Sequence, residues 1–156
     1  MEAKNSLFRE ELVFIDLEAE TREDLLTNLS QILIDKGYVK ETYKKGILDR
    51  EKIFPTGLIT EGVKVAIPHT DAKHVNIPAI LIAKLKKPIV FKEMGSGTDD
   101  VDASLIFMLA IDNPDNQLAT LSKLMIVFSN GEILKNIYES KSPSKVIEML
   151  NKIMCE

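Results

Sequence analysis

Two histidines, His69 and His74, stand close together in the string VAIPHTDAKH. Near neutral pH an imidazole can act as a nucleophile, a general base or a metal ligand. His69 is the better placed. It follows the strand-like run VKVAI (63–67), with only Pro68 between. Proline has a fixed φ and no N–H, so it ends sheet pairing there. The next side chain is then set at the rim of a sheet, where α/β proteins place their ligands. A histidine that carries a phosphoryl group needs little else beyond groups that neutralise the phosphate oxygens. Hydroxyls, backbone N–H groups and a guanidinium serve that purpose. Thr70, Thr56 and Arg50 are the candidate suppliers.

His74 can face the same pocket from an extended loop, as a supporting group and not as a chemical one. His69, Asp71 and His74 would be the residues of a metal-dependent hydrolase. Their spacing does not match the H-E-x-x-H pattern of a zinc helix, and no metal is expected. A loop histidine without a role is the plain alternative for either position. No G-x-S-x-G elbow, phosphate loop or G-x-G-x-x-G is present, so no nucleotide cofactor is expected. The segment Gly95-Ser96-Gly97-Thr98 has no lysine and precedes Asp99 and Asp100, and reads as a turn.

Composition narrows the classes. The chain has 156 residues, 45% of them apolar, enough for one compact domain with a real core. The apolar runs are too short to span a bilayer. The N-terminus MEAKNSLFREE does not resemble a secretory signal, and the expected location is the cytoplasm. A net charge of −4 argues against nucleic acid as a partner. Lys40, Lys44 and Lys45, and Lys84, Lys86 and Lys87, are expected on solvated faces. The single cysteine, Cys155, excludes an internal disulfide.

The elements that must position these residues alternate. LVFIDLE (12–18) reads as a strand. Thr21 opens a helix with Asp24 as a capping partner and Gly37 as its stop. A second helix is expected over 40–52, before Pro55. Strands follow at 63–67, 79–85 and 102–111; the last is apolar at nearly every position, as a central strand buried on both faces would be. A helix over 115–129, capped by Asn113 or Asp115, is expected to gather Leu118, Leu121, Leu124, Met125 and Phe128 on one side. A short helix after Gly131 and one beginning at Pro143 complete the chain. The class is α/β, with a mixed sheet flanked by helices.

Taken together, DREKIFPTGL (49–58), VAIPHTD (65–71) and VDASLIFMLAIDNPDNQLATLSKLM (101–125) resemble the fructose/mannitol family of phosphotransferase-system (PTS) EIIA components. The family pattern R-E-x-x-x-P-T-G, followed by A-I/V-P-H, falls on Arg50-Glu51, Pro55-Thr56-Gly57 and Ala66-Ile67-Pro68-His69. The resemblance covers the chain from about residue 8 to 152, within one domain spanning 1–156. It implies that His69 takes a phosphoryl group on Nε2 from the phosphocarrier protein HPr. His69 then passes it to a cysteine of an EIIB component while the membrane EIIC component imports the sugar. It also implies that Arg50 stabilises the phosphorylated histidine or its transition state.

One departure matters. Many mannitol- and fructose-type members carry a second histidine where this chain has Gln117 in Asn116-Gln117-Leu118. An amide can hydrogen-bond to phosphate oxygens or to His69 but cannot carry a proton charge. FPTG, IPH with a second histidine five residues on, and NPxxQL are most similar to the galactitol-specific branch. A regulatory module switched by phosphorylation is the alternative from another class. Cys155, at the chain end without a phosphate-cradling loop, is not expected to be the next acceptor. Small, transient docking interfaces are expected, with Leu58, Ile59 and Ile67 near the His69 rim; all three read equally as core, and core is the better reading for Ile67.

Overall fold

The chain's β-prone runs pair into one five-stranded mixed sheet, seen in a computed structural model that describes residues 7–154. The strands are β1 (Phe8–Leu17), β2 (Gly57–Leu58), β3 (Val65–Ala66), β4 (Ala79–Lys92) and β5 (Asp100–Ala110), in the order β1-β4-β5-β3-β2. β1 pairs with β4 and β3 with β5 in parallel; β4–β5 and β2–β3 are antiparallel. The helices are α1 (Arg22–Asp35), α2 (Thr42–Ile53), α3 (Pro114–Phe128), α4 (Gly131–Glu139) and α5 (Pro143–Met154).

β5 lies at the centre, and both its faces are covered. Side chains alternate along a strand, so Ile106, Met108 and Ala110 join one core with Leu25, Leu29 and Leu33 of α1 and Tyr43 and Ile47 of α2. Leu105, Phe107 and Leu109 join the other, with Leu124 and Val127 of α3, Leu134 of α4 and Val146 and Leu150 of α5. This explains the unbroken apolar run at 105–111. α1 begins as read: the Thr21 hydroxyl accepts from the Asp24 N–H at 3.1 Å. Asn113 caps α3, its side chain accepting from the N–H groups of Asp115 and Asn116.

Five expectations change. β1 starts at Phe8, and β4 runs on through Pro88 to Lys92, with a register shift between Lys84 and Ile89. The run at 63–67 contributes only two residues of strand, Val65 and Ala66. Of the residues expected to share a face of α3, Leu124 and Phe128 are buried and Leu121 packs against the core, but Leu118 is 68% exposed and Met125 is also exposed; Thr120 and Val127 are buried in their place. Lys84 is not on a solvated face. It is 5% exposed, its Nζ donates to the Ser140 carbonyl and it sits 5.5 Å from the centre of the Tyr138 ring. Alternation along β4 turns it inward toward α4, where the carbonyl and the ring replace water. Cys155 lies outside the described residues.

Candidate functional site

His69 stands at the end of β3, where the chain leaves the sheet beside β5. Leu109 N donates to Pro68 O at 3.0 Å, so β5 accompanies the chain up to this histidine. The side chain is 8% exposed. Its Nδ1 lies 2.8 Å from the carbonyl oxygen of Ile67. A carbonyl only accepts, so Nδ1 must carry the proton and the neutral ring keeps its free lone pair on Nε2. Burial holds the His69 pKa below its ordinary value, the Ile67 carbonyl opposes this, and the Arg50 charge lowers it further. At neutral pH the ring is therefore uncharged, with a defined nucleophilic nitrogen.

α2 supplies most of the surroundings. Its Tyr43, fully buried, donates its hydroxyl to Leu109 O at 2.5 Å and ties the helix to β5 next to the site. Arg50 lies near the C-terminus of α2, with its guanidinium carbon 4.9 Å from the centre of the Phe54 ring. Its Nε is buried and has no hydrogen-bond partner. Gln117, in the first turn of α3, likewise has a buried Oε1 without a partner. The Arg50 Nε–H is thus a buried donor without a partner whose cationic group acts on His69, whereas the orphan atom of Gln117 is an acceptor and its amide nitrogen takes that place only by rotation.

The other candidates are already engaged. Thr56 is buried, and its N–H and hydroxyl both donate to Glu51, at 2.8 and 2.9 Å. Its hydroxyl is thus directed at a carboxylate and not at His69. Thr70 is buried beside Gly46 of α2: a Cβ at residue 46 would come within 2.9 Å of Thr70 Oγ1 and 3.1 Å of His74 Nε2. The 70–74 loop rests on α2 where the helix lacks a side chain. His74 belongs to a 3₁₀ turn at 72–74 and pairs through Nδ1 with the Thr42 hydroxyl at 2.8 Å. Thr42 and Gly46 thus hold His74, and Thr70 with it, against α2. No group of three or more His, Cys, Asp or Glu side chains is arranged to hold a metal ion among the described residues.

The family model for the phosphoenolpyruvate-dependent sugar phosphotransferase system, EIIA 2, matches residues 6–153. The chain belongs to this family. It is thus a phosphotransferase component of the EIIA type. The galactitol-specific EIIA component of Escherichia coli K12 is 29% identical over 133 residues, 85% of each chain. The Bacillus subtilis transcriptional regulator ManR is 39% identical over 107 residues, 69% of this chain and 15% of its own. Among solved structures, the E. coli mannitol enzyme IIA, determined in complex with phosphorylated enzyme IIB, has a TM-score of 0.72. It is 23% identical, covers 91% of this chain and 95% of its own, and shows the fold.

Against this EIIA scaffold, the residues missed from the sequence are Glu51, Gly46, Tyr43 and Thr42. Glu51 was legible as part of the R-E-x-x-x-P-T-G string, but its burial was not. It is 3% exposed, and burial lifts its carboxyl pKa to about 7 against the pull of its two bonds to Thr56 and the Arg22 charge. Among the described residues no helix is long and apolar enough to cross a membrane.

Proposed function

We propose that this EIIA domain is a phosphoryl carrier whose acceptor is His69 Nε2. The observation that carries the reading is the Nδ1–Ile67 hydrogen bond in a buried, uncharged ring. The Nε2 lone pair attacks phosphorus of a phosphohistidine on HPr; the N–P bond to HPr breaks as the new one forms. The proton stays on Nδ1 throughout, and the Ile67 carbonyl stabilises the positive charge the ring then acquires. That same charge makes the imidazole a good leaving group. A thiolate of an EIIB component next attacks phosphorus, an S–P bond replaces the N–P bond and neutral His69 returns. Arg50, through its unpaired Nε–H, neutralises the phosphate oxygens in flight, and Gln117 donates a hydrogen bond to them through its amide nitrogen once the amide is rotated. Thr56, Thr70 and His74 support the site by fixing loop and strand positions.

The cargo we assign is galactitol, or a related polyol imported by the membrane EIIC component. Support comes from the galactitol-specific relative and from Gln117 in place of the second histidine. The location is the cytoplasm, where HPr and EIIB meet such a domain. Exposed Phe54, Ile59, Leu118 and Met125 offer apolar docking area for both partners in turn. The described fold, 7–154, acts as one EIIA domain.

The test is intact-protein mass spectrometry after incubation with phosphoenolpyruvate, enzyme I and HPr. One acid-labile phosphoryl adduct is expected on the wild type and none on His69→Ala. An adduct retained by the variant overturns the assignment of His69. Adding galactitol-type or mannitol-type EIIB to the phosphorylated domain decides the branch: rapid discharge to the first supports galactitol. The ManR relative favours a second reading, in which phosphorylation switches a regulator. Phosphorylation without discharge to any EIIB would favour it.

A further inference from the structure

Glu51 is the buried carboxylate of the site to which the reaction assigns no step. It does not pair with the neighbouring arginine; it accepts from Thr56, through N–H···Oε2 at 2.8 Å and Oγ1–H···Oε1 at 2.9 Å. Thr56 in turn accepts, through its carbonyl, the N–H of Ile67 at 3.2 Å. Ile67 accepts the Nδ1–H of His69 through its own carbonyl at 2.8 Å. Four residues are thus linked in a row from a fixed helix to the reacting ring.

β2 is the weak member of this row. It has two residues, paired Gly57 with Ala66 and Leu58 with Val65, whereas β3 is also fixed by β5 on its other side, Val65 against Leu105 and Ala66 against Ile106. A strand as short as β2 does not hold register by pairing alone. The Glu51 carboxylate, rooted in α2, binds the residue just before β2 on both of its donors. Those donors are buried, and without the carboxylate the Thr56 N–H would lose its partner, a costly loss in a dry site.

We propose that Glu51 is a positioning residue that fixes the tautomer of His69, by holding Thr56 so that the Ile67 carbonyl stays aimed at Nδ1–H. Free imidazole side chains prefer the proton on Nε2, which would block the attacking lone pair. Glu51 thereby keeps Nε2 bare. The kinetic part rests on the phosphoryl-carrier reading; the tautomer is measured without it.

The experiment is two-dimensional ¹H–¹⁵N NMR of the imidazole nitrogens at a pH where His69 is neutral, on the wild type, Glu51→Gln and Glu51→Ala, with thermal unfolding in parallel. The wild type is expected to show a single Nδ1–H tautomer. Glu51→Gln is expected to keep it, since the amide oxygen can accept from Thr56 N–H and the amide N–H can donate to the hydroxyl. Glu51→Ala is expected to mix the tautomers. Its single-turnover phosphorylation by HPr should slow by roughly ten- to a hundredfold, the scale of a small misplacement. Glu51→Ala with a pure Nδ1–H signal, its unfolding temperature merely lowered, overturns the proposal. If Glu51→Ala does not fold, Thr56→Val, which removes one of the two donors, takes its place with the same criteria. A wild type that shows the tautomer but never gains a phosphoryl group refutes the carrier reading and leaves the positioning intact.

Discussion

The sheet has two unlike halves. β4 and β5 are long, apolar and buried between two helical layers; β2 and β3 are two residues each, and only Val65 and Ala66 of β3 reach the two cores as buried members. The first half holds by area removed from water. The second shares in that core through β3 and adds directed contacts: Glu51 to Thr56, Thr56 to Ile67, Ile67 to His69. The difference shows where stability and preorganisation are made in this fold. The apolar half can lose one contact and remain a sheet, whereas the short half orients the His69 ring through a few hydrogen bonds. Damage to β5 should therefore be read in unfolding, and damage around β2–β3 in chemistry or pH dependence.

The largest expected effect lies in the apolar half. Phe107 is fully buried in β5 and packs edge-on against Phe128, with ring centres 5.1 Å apart. Phe107→Ala should cost about 3–5 kcal/mol of stability, by transfer and cavity together. Denaturant unfolding measures it. A loss below about 1 kcal/mol would break the contrast between the halves.

Next comes the pH dependence of stability. The Glu51 carboxyl is lifted from 4.5 to about 7 in the folded chain. Between those values the folded state binds more protons than the unfolded state, so stability falls as pH rises through the interval. The contribution is fully present below about 4.5 and lost above about 7. A displacement of that size is on the order of 3 kcal/mol. Glu51→Gln should flatten this slope. His69 acts with the opposite sign: its lowered folded pKa makes it stabilising above its ordinary value of 6.5, and this is lost as pH falls. Comparing Glu51→Gln with His69→Gln by unfolding across pH separates the two slopes. Parallel pH curves for Glu51→Gln and the wild type would show that Glu51 titrates as an ordinary carboxyl.

Arg50→Ala should leave unfolding almost unchanged, because the guanidinium packs on the exposed Phe54 ring and makes no ion pair within 4 Å among the described residues. Phosphoryl transfer should nevertheless slow by roughly a hundredfold, the scale of losing one oxyanion donor. Arg50→Lys keeps the charge but not the planar fork, and should recover only part of the rate. Stopped-flow or quench-flow transfer from phosphorylated HPr measures both. A stability loss equal to the rate loss would place Arg50 in the scaffold and not in the site.

Much of the apolar half was legible in the sequence, since β5 is apolar at successive positions and Thr21 and Asn113 mark helix starts. Both are local signals. Much of the short half was not. The burial of Glu51 and Lys84 depends on what lies across from them in space, and neither the Ser140 carbonyl nor the Thr56 donors can be placed by periodicity. Leu118 was misassigned for the same reason: helical spacing identifies apolar positions but does not say that the outer ones stay uncovered. His69 was legible because Pro68 before it is itself a local stop signal. The tautomer was not, because it rests on which way the Ile67 carbonyl points.

The smallest effect is also the sharpest test of how the halves meet. Gly46 lies inside α2, where alanine should favour the helix by about 1 kcal/mol. The added Cβ, however, would fall 2.9 Å from Thr70 Oγ1 and 3.1 Å from His74 Nε2. Those side chains must give way, and the Thr42–His74 contact with them. The two effects oppose each other, so Gly46→Ala should change stability by less than about 1 kcal/mol in either direction. The His74 imidazole resonances should shift all the same. His69 is held from the other side, through Ile67 and Thr56, and its Nδ1–H signal should stay. A His69 signal that moved with His74 would mean that the 70–74 loop, and not the β2–β3 links, sets the reacting ring.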